Sequence, residues 1–147
     1  AVSAAGGLLA LRLPGAGAAA APGVPAAASP SVPAGWTVFS PEAVDLPVAL
    51  GEPVFLAFGA KWCWTCRTNE ATVLRAPEVL SAFADRGVRL VYGDYTSPDA
   101  TITEWLERFD RAGVPLYVFF PPDGSDPVVL PEILTRRMVI DLVSSRG

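Results

Sequence analysis

Two cysteines, Cys63 and Cys66, are the residues of this 147-residue chain best suited to carry out chemistry. They lie three positions apart in the segment 60–67, AKWCWTCR, which follows an unbroken apolar run and is expected to open a helix. In a first helical turn this spacing brings the two Cα atoms to roughly 5–6 Å, a distance that a disulfide spans. Because the free N–H groups at that end of a helix favour a thiolate, the pair is predicted to exchange disulfides.

The two thiols are expected to have different roles. Cys63 is predicted to be the exposed attacking sulfur, and Cys66, one turn into the helix, the more buried resolving thiol. Two other interpretations of the pair stay open. A structural disulfide would close so short a loop that it would stabilise the fold little. A Cu(I) or other soft-metal site suits two thiolates, although the single methionine, Met138, lies far away in sequence.

Composition excludes several other kinds of site. The absence of histidine excludes a Ser-His-Asp triad and an imidazole-ligated zinc ion, and two cysteines are too few for a Cys₄ zinc site or iron–sulfur cluster. The net charge is −4, whereas nucleic-acid binding needs a basic face, so no nucleic-acid partner is expected. Since two thiols carry both electrons of an exchange reaction, no cofactor is expected either.

The chain divides by composition into a linker, residues 1–35, and a folded domain, residues 36–147. The linker is rich in Ala, Gly and Pro, and Arg12 is its one charged residue, whereas all aromatic residues lie in the domain. The apolar start, 1–11, is shorter than a membrane span. Whether it is the end of a membrane or signal segment or simply an Ala-rich linker stays open. The isolated domain is expected to be monomeric.

Alternating apolar segments in the domain predict the element order β-α-β-α-β-α-β-β-α. Strands are expected at 36–39, 54–58, 88–92, 116–120 and 128–130. Ser40 and Thr135 are placed to begin helices. The helix that begins near Cys63 is expected to bend or break before Pro77.

This order predicts an α/β fold in which helices cover both faces of a central mixed sheet. Strands separated by helices are expected to pair in parallel, and the last two strands to form an antiparallel edge. Ile102, Trp105 and Phe109 fall at the spacing of one helix face, so they are assigned to the core.

A WCxxC motif that follows a strand, within this order of elements, resembles the thioredoxin fold. A second match is Gly113-Val114-Pro115, immediately before the strand at 116–120. In that family the equivalent proline is cis and lies beside the dithiol. The resemblance implies that Val114 and Pro115 present backbone to an extended segment of a partner protein. From the residues alone, Pro115 simply starts a strand.

More narrowly, residues 36–143 resemble the C-terminal periplasmic domain of membrane thiol:disulfide interchange proteins of the DsbD/ScsB type. The matching segments are 54–70, VFLAFGAKWCWTCRTNE, and 113–120, GVPLYVFF, while 129–135, VLPEILT, is similar to the ScsB branch. The resemblance implies a protein-disulfide reductase domain on the periplasmic face of the bacterial inner membrane. Its implied partners are a membrane-embedded electron-donor domain of the same polypeptide and periplasmic disulfide-bearing proteins. A tethered thioredoxin for cytochrome c maturation is the alternative with the same chemistry.

The chain departs from the family pattern at Ala57, six residues before Cys63. The family commonly places a buried Asp there, which helps to move the proton of the resolving thiol. Glu70, four residues after Cys66 and on the same helix face, matches a family carboxylate near the site. We hypothesise that Glu70, alone or with Glu132, provides the acid/base help; the alternative is a solvated surface carboxylate.

Three further residues near Cys63 have candidate roles. Trp62 and Trp64 either form a hydrophobic collar that recruits partners or pack against the domain, and packing suits Trp62 better than Trp64. The charge of Lys61 favours a thiolate at Cys63, but solvent screening makes this effect small.

Overall fold

The computed structural model describes residues 31–147, whose elements follow the predicted order. Residues 1–30 of the predicted linker lie outside the described residues. The strands in the described part are β1 (Thr37–Val38), β2 (Val54–Gly59), β3 (Arg89–Asp94), β4 (Leu116–Phe120) and β5 (Val128–Val129). The α-helices there are α1 (Pro41–Ala49), α2 (Trp64–Asn69), α3 (Pro77–Asp85), α4 (Ala100–Arg108) and α5 (Arg136–Arg146), and a π-helical turn (Glu70–Leu74) continues α2.

The strands form one mixed sheet in the order β1-β3-β2-β4-β5. β1 and β2 both run parallel to β3, whereas β4 runs antiparallel to β2 and to β5. The expectation that β4 would pair in parallel is therefore wrong. The register explains the difference. β3 ends at Asp94 beside Gly59, and β4 begins at Leu116 beside Phe58. The connection through α4 therefore leaves and re-enters the sheet at the same end of the strands, so β4 runs back in the opposite direction.

Local sequence explains where the helices begin. The hydroxyls of Ser40 and Thr135 accept hydrogen bonds from the first-turn N–H groups of α1 and α5, which confirms both predicted helix starts. Pro77 lies in the first turn of α3, where its missing N–H costs nothing. The helical segment after Cys63 therefore breaks before Pro77, as predicted.

The core has two layers, one on each face of the sheet, because alternate residues of β2 point in opposite directions. Phe55 and Ala57 belong to the layer covered by the π-helical turn, α3 and α5. Leu56 and Phe58 belong to the layer covered by α1 and α4, which also holds the buried Trp105. The prediction of helices on both faces is confirmed, and so is the assignment of the α4 apolar face to the core.

Candidate functional site

The dithiol lies where the central strand leads into a helix. β2 ends at Gly59, and Cys63 is the N-cap of α2, with its sulfur accepting a hydrogen bond from the backbone N–H of Cys66 at 3.2 Å. The two cysteines form a disulfide, with 5.3 Å between their Cα atoms. The predicted spacing and helix start are thus both observed. A backbone donor at the first turn of a helix is the arrangement that stabilises thiolates in proteins generally.

The two cysteines differ in exposure, but less than expected. Cys66 is fully buried, and Cys63 is 7% exposed rather than an openly exposed residue. Ala60 belongs to the same buried cluster as the two cysteines, and Val114 packs against that cluster. Cys63 is still the more exposed of the two cysteines, and its role as the attacking thiol stays a prediction.

The strand register brings the residues that precede β4 close to the disulfide. Because Leu116 pairs with Phe58, the residues that precede β4 lie next to the segment that joins β2 to α2. Val114, half-buried, contacts the cysteine cluster, and the Val114–Pro115 peptide bond is cis, as the resemblance implied. The fold thus places the residues that precede β4 against the disulfide.

The two tryptophans are exposed side chains. Trp62 is 63% exposed and Trp64 79% exposed, and neither belongs to the buried core of the described residues. Trp62 is nevertheless held in place, because its ring N–H donates to the carbonyl of Thr96 at 3.1 Å. Ordinary packing therefore does not describe either residue, and both present apolar surface on either side of Cys63 in the sequence.

Glu70 lies one turn after Cys66, but its carboxylate is hydrogen-bonded to Tyr92 on β3 rather than to a cysteine. Its carboxylate accepts a hydrogen bond from the Tyr92 hydroxyl at 2.6 Å and is half-buried. It lines a cleft of about 200 Å³ together with Ala60 and Lys61. The Glu70 backbone N–H donates to the Cys66 carbonyl, but within residues 31–147 no hydrogen bond joins the Glu70 carboxylate to either cysteine.

Glu132 is a different case. Its side chain is exposed and forms an ion pair with Arg111 at 2.8 Å, while its backbone carbonyl accepts a hydrogen bond from Asn69. Its carboxylate is therefore committed to Arg111, and the structure brings Glu132 to the dithiol helix only through its backbone.

The position of the missing strand carboxylate is filled by apolar packing. Ala57 is fully buried in the centre of β2. Tyr92 on β3 and Tyr117 on β4 lie at the same register on either side of it, and all three belong to one core layer. The chain therefore offers two tyrosine hydroxyls near this position and no acidic group on the strand.

Sequence reasoning missed Asn69, Tyr92 and Tyr117. One signal for Asn69 was available: it follows Cys66 by three positions and precedes Val73 by four, so it is a polar residue on a buried helix face. No comparable signal identified the tyrosines, because their partners are far away in sequence.

The described residues hold neither a candidate metal site nor a candidate membrane span. Residues 31–147 contain no group of three or more His, Cys, Asp or Glu side chains that could hold a metal ion. In the same part of the chain, no helix has the length and apolar character needed to cross a bilayer.

Comparison with known proteins agrees with this geometry. A family described as thioredoxin-like matches residues 35–122. The chain belongs to this thioredoxin-like family. The fold predicted from the WCxxC motif and the order of elements is thereby confirmed.

Among individual proteins, the chain is similar to thiol:disulfide interchange proteins named DsbD. The chain is 39% identical over 94 residues to the thiol:disulfide interchange protein DsbD of Pseudomonas fluorescens, a match that covers 61% of this chain. It is 35% identical over 94 residues to DsbD 2 of Pseudomonas aeruginosa, again over 61% of this chain. In both cases the match spans 16% of the relative's length. The predicted resemblance to DsbD is confirmed.

Solved structures show the same fold. The reduced C-terminal domain of DsbD from Neisseria meningitidis superposes with a TM-score of 0.60 at 22% identity, over 76% of this chain and 100% of that one. The oxidised form gives a TM-score of 0.57 at 24% identity, over 71% of this chain and 89% of that one.

Proposed function

We propose that this domain is a protein-disulfide reductase that works by thiol–disulfide interchange through Cys63 and Cys66. The observation that carries the proposal is the Cys63–Cys66 disulfide at the start of α2, next to the Val114–Pro115 bond. Similarity to DsbD sequences supports the same chemistry.

The reaction balances without any other redox group. In the reduced domain, the Cys63 thiolate attacks a partner disulfide, so one partner sulfur leaves and a mixed disulfide forms. Cys66 then loses its proton and attacks the Cys63 sulfur. The second partner sulfur leaves and takes up a proton, and the domain is left with the disulfide seen in the structure. Two electrons have passed to the partner, and an upstream dithiol restores them by the reverse steps.

We assign the proton transfer at Cys66 to Glu70 alone. Glu70 lies one turn after Cys66, and its backbone N–H bonds to the Cys66 carbonyl. Glu132 is left out because Arg111 pairs with its carboxylate. Glu70→Gln should slow exchange and change its pH profile; an unchanged rate and an unchanged Cys66 titration would exclude the assignment.

The partner-binding surface consists of Trp62, Trp64, Val114 and Pro115. The two tryptophans offer exposed apolar area, and the backbone at the half-buried Val114, before β4, is where we propose that an extended peptide pairs. We place the domain on the periplasmic face of a bacterial inner membrane. There it would receive electrons from a membrane-embedded domain of the same polypeptide and reduce periplasmic disulfide-bearing proteins. The short span of the match within full DsbD sequences supports such a multidomain arrangement.

The test is reduction of insulin disulfides by the reduced 147-residue chain. We expect turbidity to develop with the wild type and to be abolished in Cys63→Ala. Cys66→Ala should instead accumulate a mixed disulfide with insulin, visible by mass spectrometry. An inert wild-type dithiol would overturn the proposal, and stoichiometric Cu(I) binding under glutathione competition would favour the soft-metal module instead.

A further inference from the structure

Two consecutive residues of the dithiol helix are each tied to a different strand. Asn69 donates to the Tyr117 hydroxyl on β4 at 3.0 Å, and Glu70 accepts from the Tyr92 hydroxyl on β3 at 2.6 Å. Both tyrosines are buried and lie at the register of Ala57. The small Ala57 side chain leaves this face of the sheet to the two aromatic rings. Their hydroxyl groups therefore supply the polar contacts beneath α2.

Gly59 makes room for one of these contacts. A Cβ atom at this position would overlap the Tyr92 hydroxyl oxygen and lie 3.2 Å from Oε1 of Glu70. The absence of a side chain at the end of β2 thus allows the tyrosine and the carboxylate to meet four residues before Cys63. This is a close approach that glycine permits and that any larger residue would obstruct.

The surroundings make Tyr92 a donor to Glu70. The groups that face this pair from the neighbouring elements are Lys61, Arg67, Arg75 and Asp94 around the cleft, with Tyr117 beneath. Burial, together with the hydrogen bond to Glu70, raises the pKa of the Tyr92 hydroxyl well above its usual value. Tyr92 therefore keeps its proton at neutral pH, and its hydroxyl donates a hydrogen bond to Glu70.

We propose that Tyr92 is a positioning residue: its hydroxyl, admitted by Gly59, fixes the Glu70 carboxylate so that the free oxygen can accept the Cys66 proton. This inference rests on the proposed exchange reaction. In the resolving step the Cys66 S–H bond breaks and its proton goes to Glu70. The electron pair left on the Cys66 sulfur forms the bond to Cys63, and the partner sulfur leaves with the electrons of the mixed disulfide. That sulfur then receives the proton from Glu70.

The test compares Tyr92→Phe with Tyr117→Phe, since each change removes one hydroxyl from the same core layer and keeps the ring. We expect Tyr92→Phe to slow insulin reduction at neutral pH about 3- to 10-fold, part of what a general base contributes, and to shift the pH profile in the same sense as Glu70→Gln. Tyr117→Phe should keep the wild-type profile. In the double variant Tyr92→Phe/Glu70→Gln, the rate should equal that of Glu70→Gln alone.

Two results would overturn the role of Tyr92: independent, multiplying effects of the two changes, or equal profile shifts in both phenylalanine variants. Gly59→Ala provides a second route, because it keeps both side chains but closes the space between them. It should reproduce the Tyr92→Phe profile while circular dichroism confirms the fold.

Iodoacetamide alkylation of the reduced chain separates this inference from the proposed function. Failure of the wild type to reduce insulin would remove the proposed function. The pH dependence of Cys66 alkylation in Cys63→Ala would still reveal whether Tyr92→Phe alters the proton acceptor. An active wild type with an unaltered Tyr92→Phe profile in both assays would remove the positioning role alone.

Discussion

Asn69 shows how a single side chain joins the dithiol helix to distant parts of the chain. It is 3% exposed. Its NH₂ group donates to the Tyr117 hydroxyl and, at 2.6 Å, to the carbonyl of Glu132, and its oxygen accepts from the N–H of Leu134 at 3.1 Å. Every polar atom of the buried amide is therefore paired, and the segment before α5 is held against α2.

Replacing this amide should be costly. Asn69→Ala leaves the buried N–H of Leu134 and the carbonyl of Glu132 without their partner, so the free energy of unfolding should fall by about 2–3 kcal/mol. Urea titration measures the change. The matched control is Thr68→Ala at the exposed neighbouring position, which should stay within about 0.5 kcal/mol of wild type. Equal effects of the two changes would show that the amide network is not stabilising.

At the scale of elements, the turn after β3 holds the segment that leads into the dithiol. Asp94 accepts hydrogen bonds from both the N–H and the hydroxyl of Thr96, and from the N–H of Ser31. Thr96 in turn accepts from Lys61 and Trp62. One carboxylate at the end of β3 therefore orders the turn that fixes Trp62 beside Cys63.

The charge of Asp94 should make this arrangement sensitive to acid. Partial burial opposes ionisation, but the hydrogen bonds from Thr96 and Ser31 and the charge of Lys61 outweigh it and hold the pKa of the carboxyl below its usual value. A carboxyl with a lowered pKa in the folded state stabilises that state above its unfolded pKa. This contribution is lost as the pH falls through the folded pKa.

Asp94→Asn should therefore destabilise the domain at neutral pH and much less in acid. We expect a loss of about 1 kcal/mol near pH 7, less than is usual for hydrogen bonds to a charge because Asp94 is partly exposed. The difference should shrink below about pH 4. Urea titrations of both proteins across this range measure it, with Thr96→Val expected to weaken the same pH dependence. A difference that stays constant from neutral to acid pH would contradict the assignment.

At the scale of the whole molecule, the sequence determines the parts more clearly than their mutual orientation. The run LYVFF at 116–120 predicts β4 with its observed ends, because every residue of that strand is buried. The WCxxC spacing predicts the disulfide and the helix start in the same way, because both are local. The direction of β4 was not predictable from periodicity, because it depends on which end of the strands the connection through α4 reaches before β4 begins.

The contacts of Glu70 were also beyond the reach of sequence patterns. Its spacing from Cys66 correctly places it one turn along the helix, but its partner, Tyr92, is 22 residues away on another strand. Such a contact depends on strand order and on the room that Gly59 leaves, and both follow from tertiary structure. The lower exposure of Cys63 has the same origin, since Val114, from a distant segment, packs against the cluster that contains it.

The strand order predicts where the molecule opens first. β2 lies between β3 and β4 and has six buried residues, whereas β1 and β5 are two-residue strands at the edges of the sheet. Amides of β2 should exchange with solvent only through global unfolding, at the free energy obtained from urea titration, while those of β1 and β5 should exchange through smaller openings. Hydrogen exchange followed by mass spectrometry of the oxidised chain measures this order.

Reduction of the Cys63–Cys66 disulfide should preserve this order of exchange, because the bond closes a very short loop and stabilises the fold little. If β1 were protected as strongly as β2, or if reduction made β2 exchange first, the centre of stability would lie outside the strand that leads to the dithiol.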